Sequence, residues 1–181
     1  MAALGVHFAI TDDQRAGLES QPNDQERAFF LKEKIEHEGD RDFLVVTDKA
    51  WDAMHRCLSP FPPDTPWFYP VDPSHGAYAL PEDHGSEPLK LCVLGGKRLM
   101  ESEEQYFIRL IEPEQVIDLV PALQAIDRST MKALYFKHCK GAWPEYGEED
   151  FEYTWDYFED VRDFFARMAG NGRAVIFTAD Q

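Results

Sequence analysis

The sequence is poor in basic residues. It holds 18 Lys and Arg against 34 Asp and Glu, which gives a formal net charge of -16 over 181 residues. Nucleic acids and anionic membrane surfaces are themselves negatively charged, so a protein that binds them without sequence preference needs cationic surface. We therefore expect neither a nucleic acid nor a membrane as a partner. The same imbalance favours attraction to a basic protein.

Cysteine is also scarce, and no long hydrophobic run is present. The three cysteines, Cys57, Cys92 and Cys139, are odd in number and widely spaced, so they do not suggest a disulfide framework. Each lies in an apolar run, where a buried and reduced thiol is expected. No window approaches the ~18 apolar residues of a membrane span. The opening Met-Ala-Ala-Leu-Gly lacks the features of a signal peptide, so we expect a cytoplasmic protein.

Motifs that carry catalysis or bind metals are missing. The sequence has no HExxH, no CxxC and no GxSxG, and its single Gly-Gly-Lys lacks the P-loop pattern. Asp52 and His55 are three residues apart on a predicted helix and form a weak candidate pair of metal ligands, but a second pair is lacking. The simpler interpretation is that His55 is partly buried and hydrogen-bonded to Asp52 or to the backbone. We expect no cofactor, and a role without catalysis is favoured.

Local patterns predict one α+β domain over residues 1–181. Its sheet is mixed or antiparallel, contains the N- and C-terminal strands, and packs against several helices. Strands are predicted at Gly5–Ile10, Phe43–Val46, Leu89–Leu94, Gln105–Ile111 and Arg173–Thr178. Helices are predicted after the caps Thr11, Asn23, Asp48, Glu112 and Asp127, and at Asp150–Ala169. Their expected core positions include Phe29 in the second helix and Ile117 in the fourth.

A segment rich in proline and aromatic residues interrupts this pattern at residues 59–88. It contains eight of the twelve prolines. Because proline restricts the backbone and aromatic rings seek burial, we expect an ordered loop. Either the loop is a packed cover over one end of the sheet, or it binds a ligand through residues such as Trp67 and Tyr69.

Four stretches of the sequence resemble the YfbM-like family of bacterial proteins of unknown function. They are Leu4–Phe8, the helix Asp48–Leu58 (DKAWDAMHRCL), the corner Val93–Gly96, and the final order of long helix, glycine and apolar strand. The helix motif is the most specific of the four. The resemblance implies an α+β fold, and it supplies no activity and no catalytic residues.

The C-terminal helix carries two ordered stripes. An aromatic seam for the core is expected from Phe151, Trp155, Phe158, Phe165 and Met168. A stripe of carboxylates recurs at steps of three and four residues and comprises Glu152, Asp156, Glu159, Asp160 and Asp163. Between residues 143 and 163 there are nine acids and one base, a local charge of -8. This stripe is either a solvated helix face or a binding site for a basic partner.

These features favour a binding protein. The leading hypothesis is an immunity or inhibitor protein that neutralises a basic bacterial toxin or enzyme through the acidic stripe, with Trp67 and Tyr69 as anchors. One alternative is an enzyme of unknown class, with a pocket under the proline-rich loop and His7, His55 and His138 as acid–base groups. A housekeeping interaction module is the other alternative. The sequence leaves the oligomeric state open.

Overall fold

An antiparallel sheet of five strands organises the part of the chain that the computed structural model describes, residues 4–37, 39–60, 85–100, 106–140 and 146–180. The strands are β1 (Gly5–Ile10), β2 (Leu44–Asp48), β3 (Lys97–Arg98), β4 (Tyr106–Ile111) and β5 (Ala174–Asp180). Their order across the sheet is β2-β1-β5-β4-β3. The N-terminal strand therefore pairs with the C-terminal strand near the centre of the sheet. The sequence predicted that both strands belong to the sheet, and it did not predict their pairing.

Six α-helices accompany the sheet within these residues. They are α1 (Asp12–Glu19), α2 (Asp24–Phe30), α3 (Ala50–Leu58), α4 (Pro113–Gln124), α5 (Arg128–His138) and α6 (Glu148–Ala169). A π-helical turn at Leu31–Glu36 extends α2, and short 3-10 turns occur at Arg41–Phe43 and Leu89–Cys92. The predicted α+β fold class is thus confirmed. None of the helices in the described ranges is long and apolar enough to cross a membrane.

Two hydrophobic cores lie on opposite faces of the sheet. Successive residues of a strand point to opposite faces, so Val175 and Phe177 of β5 join one core while Ala174 and Ile176 join the other. The first core contains residues of α3, α4, α5 and α6, and the second contains residues of α1 and of the π-helical turn. The long helix α6 is therefore held against one face of the sheet by its apolar side.

The predicted strand at Leu89–Leu94 is wrong. This run begins as a 3-10 turn, and the extended pairing starts later, at β3. Its consecutive residues 91–94 are all buried rather than alternating between core and solvent, and the Gly95 N–H bonds back to the carbonyl of Lys90. An uninterrupted apolar run does not distinguish a buried turn from a buried strand.

The predicted N-cap of α3 is displaced by one residue. Lys49 occupies the cap position, and Asp48 ends β2 with a φ of 45°. Aspartate is one of the few residues with a side chain that adopt this left-handed conformation with some frequency. The Asp48 carboxylate hydrogen-bonds Tyr153 of α6, so its role is to join β2 to α6 rather than to cap α3.

Two predicted core residues are exposed. Phe29 in α2 is 63% exposed and Ile117 in α4 is 52% exposed. In α2 the π-helical turn widens the helix after Phe30, and Leu31 and Ile35 become the buried residues. In α4 the buried face consists of Val116, Leu119 and Leu123. Phe29 precedes the π turn and lies two residues before Leu31, so ordinary spacing of 3.6 residues per turn already places it on the opposite side of the helix from the core.

Candidate functional site

The acidic stripe predicted from the sequence lies on the outer side of α6, and we call its five residues the acidic face: Glu152, Asp156, Glu159, Asp160 and Asp163. The opposite side of the helix is buried, and it includes every member of the predicted aromatic seam. This burial fixes the rotation of α6 about its axis. Asp156, Asp160 and Asp163 are exposed, whereas Glu152 and Glu159 are partly exposed.

The two glutamates of the acidic face are already paired within the protein. Glu152 accepts a hydrogen bond from Arg128 at the start of α5. Glu159 accepts one from Arg162, three residues further along α6, at 3.1 Å. Just before the face, Glu148 pairs with Lys132 at 2.6 Å. Bases of α5 therefore neutralise Glu148 and Glu152, and a base of α6 itself neutralises Glu159.

Three aspartates of the acidic face remain without an ion pair in the ranges that the structure describes. Asp156, Asp160 and Asp163 follow at i, i+4 and i+7, which places them on one side of the helix. The charges of the trio add slightly to the pKa shifts of two neighbours. The hydrogen bond with Glu152 raises the pKa of Arg128, with a small contribution from Asp156. Burial raises the pKa of Tyr157, with a small contribution from Asp160. This trio is the part of the acidic face that is available to a cation.

Two tyrosines border the acidic face toward the edge strand β2. Tyr153 and Tyr157 pack against each other with ring centroids 5.0 Å apart. The Tyr153 hydroxyl accepts a hydrogen bond of 3.2 Å from the backbone N–H of Lys49. Burial, together with the hydrogen bond to Asp48, raises the pKa of Tyr153 to about 12. A partner that approaches Asp160 would therefore also meet partly exposed aromatic surface.

A second polar cluster lies between α3, α5 and the start of α6. Asp52 accepts a 2.9 Å hydrogen bond from Nε of Arg56. The Tyr135 hydroxyl donates to Asp150 and accepts from the backbone N–H of Gly147 at 3.3 Å. Burial raises the pKa of Asp52 to about 6, and repulsion from Asp150 adds to this while Arg56 opposes it. Asp52 is thus a carboxyl group whose pKa lies above the ordinary aspartate value.

The three histidine candidates occupy different environments. His7 is fully buried on β1, where Nε2 donates to the Cys92 carbonyl at 2.7 Å and the rings of Phe164, Phe165 and Phe177 surround it. Burial lowers the pKa of His7 to about 4, so the ring is neutral near pH 7. His55 is fully buried in α3.

His138 lies in the last turn of α5 and is partly buried. Burial and the nearby Lys137 lower its pKa. His7 and His55 are therefore removed from solvent, and His138 alone of the three reaches it. The candidate ligand Asp52 bonds Arg56 rather than His55. Within the described residues no group of three or more His, Cys, Asp or Glu is arranged to hold a metal.

The remaining site predictions fall outside the described residues. Trp67 and Tyr69 lie in the segment 61–84, which the structure does not describe. The three cysteines are buried and free, as predicted.

Sequence reasoning missed the cluster of Asp52, Arg56, Tyr135 and Asp150. The spacing of Asp52 and Arg56, at i and i+4, is a signal for a helical ion pair. Nothing local connects that pair with α5 or α6, because their approach depends on tertiary packing. The combination of Tyr135 with Asp150 could therefore be found only in the folded structure.

The comparisons with known proteins agree with one another, and the proteins they match are of unknown function. A family model described as "Domain of unknown function (DUF1877)" matches residues 1–178. The crystal structure of a protein of unknown function, YfbM from Escherichia coli, is similar with a TM-score of 0.62 and 18% sequence identity, over 97% of this chain and 99% of that one. At this identity the similarity establishes the fold alone. A comparison with curated proteins finds no significant match.

Proposed function

The chain belongs to the DUF1877 family, and we propose that it is a binding protein of the immunity or inhibitor type, which neutralises a basic bacterial toxin or enzyme through the acidic face of α6. The observation that carries this proposal is the trio Asp156, Asp160 and Asp163. These carboxylates share one exposed side of a helix and have no ion pair among the described residues. Carboxylates at this spacing repel one another, so the arrangement costs stability in the isolated protein.

The glutamates at the start of α6 are paired with bases, whereas among the described residues the aspartate trio further along the helix is not, and this difference supports a binding role. Glu148 and Glu152 are paired with bases of α5. The fold therefore neutralises these two acids internally. The trio makes no ion pair in the described part of the chain, although Arg128 is close enough to Asp156 for the pKa of Arg128 to be affected. A row of uncompensated charge on a rigid helix is suited to rapid, electrostatically steered association with a surface of opposite charge.

The expected partner surface follows from the geometry. It presents several Lys or Arg side chains at intervals that match one to two turns of helix, about 5–11 Å. Next to these bases it presents apolar or aromatic groups that pack on Tyr153 and Tyr157. Interfaces that combine an aromatic centre with a charged rim are common among specific protein complexes.

An enzymatic role is the second candidate, and Asp52 is the observation that favours it. A carboxyl group with a pKa raised to about 6 beside Arg56 and Asp150 has the properties of a general acid or base. The buried histidines His7 and His55 are less suited to this task than the sequence suggested. A role as a housekeeping interaction module would use the same acidic face with a different basic partner.

Affinity capture followed by titration tests the proposal. The full chain is used as bait in a lysate of its native cell, and captured proteins are identified by mass spectrometry at low and at physiological salt. The captured partner is then purified, and its Kd is measured for the natural protein and for Asp156→Asn/Asp160→Asn/Asp163→Asn. Each exposed ion pair contributes about 0.2–1 kcal/mol, so the triple variant should bind roughly 3- to 150-fold more weakly.

A matched variant separates this surface from net charge. Asp13→Asn/Glu26→Gln/Glu33→Gln removes three exposed acids of α1, α2 and the π-helical turn, on the other face of the sheet, and should bind with unchanged affinity. Inhibition of the partner's activity by the natural protein would identify the inhibitor role. Equal weakening by both variants, or a partner that is not basic, would contradict the proposal.

A further inference from the structure

Two of the three cysteines lie side by side in the first core. Cys57 in the last turn of α3 and Cys139 at the C-terminal end of α5 have sulfur atoms 3.9 Å apart, although 82 positions separate them in sequence. The Cys139 thiol also lies 3.7 Å from the carbonyl oxygen of Ala53. Both side chains are buried. Cys92 belongs to the 3-10 turn beneath His7 and serves as an internal control.

We propose that Cys57 and Cys139 form an intramolecular disulfide when the protein meets a hydroperoxide. A disulfide has a sulfur–sulfur distance of about 2.05 Å and needs both cysteines within a few ångströms of that arrangement. At 3.9 Å the two sulfurs are already in van der Waals contact, and they must approach each other by about 2 Å for the bond to form. This modification is independent of the acidic face and of the proposed binding function.

The chemistry proceeds in two balanced steps. The thiolate of one cysteine attacks the peroxide oxygen, which gives a sulfenic acid and releases hydroxide from hydrogen peroxide or an alcohol from an alkyl hydroperoxide. The second thiol then attacks the sulfenic sulfur, the new S–S bond forms, and water leaves. In total two thiols are oxidised and one peroxide is reduced. Because the second thiol is in contact with the first, this step precedes further oxidation to sulfinic acid.

Burial sets the rate of the first step. It raises the pKa of Cys57 well above its usual range, and the neighbouring Cys139 adds to this effect. Since the thiolate is the reactive form, oxidation should be slow at neutral pH and faster in alkaline solution. A small neutral oxidant such as hydrogen peroxide is suited to this site, whereas a bulky disulfide reagent is not.

The crosslink would join α3 and α5, which are two of the three helices that hold the second polar cluster. Asp52 and Arg56 lie on α3 with Cys57, and Tyr135 lies on α5 one turn before Cys139. The closed loop would also contain the proline-rich segment 59–88. A crosslink that closes a long loop restricts the unfolded chain, so the oxidised protein should unfold at a higher temperature than the reduced one.

Peptide mapping of the natural protein tests this proposal directly. The folded chain is treated with hydrogen peroxide at pH 7 and at pH 9, alkylated under denaturing conditions without reductant, and digested. The expected product is one crosslinked peptide pair that contains Cys57 and Cys139 and lacks two hydrogen atoms, with Cys92 alkylated. Its yield at a fixed time should be greater at pH 9, and a reductant should reverse both the crosslink and the rise in unfolding temperature.

Two variants complete the test. Cys92→Ser should give the same crosslink, and Cys139→Ala should give none; circular dichroism verifies that each is folded. Mapping of the natural protein decides the question even if a variant fails to fold. The proposal is overturned if Cys57 and Cys139 are both recovered alkylated or as sulfinic acids, if the crosslink involves Cys92, or if it forms only after unfolding in urea.

Discussion

His7 and Asp52 are two titratable groups whose burial has opposite consequences for stability in acid. The pKa of His7 is lowered to about 4 from an ordinary 6.5, so His7 favours the folded state above pH 6.5 and this contribution disappears as pH falls through about 4. The pKa of Asp52 is raised to about 6 from 3.8. Its contribution is present below pH 3.8 and disappears as pH rises through about 6.

Between about pH 4 and pH 6 the contributions of His7 and Asp52 to the pH dependence of stability should cancel. In Asp52→Asn the contribution of His7 should therefore become measurable. In the variant, the free energy of unfolding should fall with decreasing pH more steeply than in the natural protein, by up to about 1.4 kcal/mol per pH unit. Urea unfolding at half-unit steps from pH 4 to pH 7 measures this difference in slope. A constant difference between the two proteins at every pH would mean that Asp52 titrates as an ordinary exposed carboxyl group.

At the scale of single residues, the sequence predicted the burial of the three thiols correctly and the burial of two apolar side chains incorrectly. The three thiols are buried as expected, because apolar neighbours in sequence are a good indicator of burial. Phe29 and Ile117 are exposed although their apolar character suggested the core. A fully buried His7 was not predicted, since nothing adjacent in the sequence reveals the three phenylalanine rings that surround it.

At the scale of elements, caps were the most reliable signals. The spacing of Thr11 and Gln14 predicted a reciprocal pair of hydrogen bonds at the start of α1, and both are present, at 3.2 and 3.0 Å. Asn23 and Asp127 likewise accept hydrogen bonds from the backbone of the helices that they precede. Caps are predictable because both partners lie within one turn. The 3-10 turn at Leu89–Cys92 was missed because part of its bonding is not local: the Cys92 carbonyl accepts a hydrogen bond from the side chain of His7, 85 positions away in sequence.

The cap of α1 gives a quantitative test at this scale. Thr11→Ala removes the acceptor for the Gln14 N–H and should lower the free energy of unfolding by about 1 kcal/mol. Thr11→Ser keeps the hydroxyl and should recover most of the loss. Chemical denaturation of both variants measures the difference. Equal stability of the alanine and serine variants would show that α1 is held by the burial of Leu18 rather than by its cap.

At the scale of the whole molecule, charge repulsion is the dominant electrostatic feature. The formal charge is -16, and the aspartate trio of α6 concentrates part of it on one helix. The sequence predicted both the stripe and the aromatic seam behind it, because one helix contains them. It did not predict which acids are neutralised, since Arg128 and Lys132 reach Glu152 and Glu148 only through the packing of α5 beside α6.

Salt should therefore stabilise the protein. Between about 0.01 M and 0.15 M salt the screening length falls from about 30 Å to about 8 Å, so repulsion among carboxylates weakens and the unfolding temperature should rise. Asp156→Asn/Asp160→Asn/Asp163→Asn should show a smaller rise than Asp13→Asn/Glu26→Gln/Glu33→Gln, which has the same net charge. Calorimetry at the two salt concentrations measures the rise in unfolding temperature of each variant. A fall in unfolding temperature with salt would mean that attractive ion pairs outweigh the repulsion.

The pairing of β1 with β5 determines when the sheet can be completed during synthesis of the chain. Gly5 lies opposite Ala179 and Ile10 opposite Ala174, so the middle of the sheet joins segments from the two ends of the described chain. Among the described strands, β1 is synthesised before the other four and its neighbour β5 is synthesised after them. Contacts between such distant segments form slowly. The apolar strand GVHFAI therefore lacks its β5 neighbour until residues 174–180 have been synthesised, and during that interval β2 is the neighbour with which it can already pair.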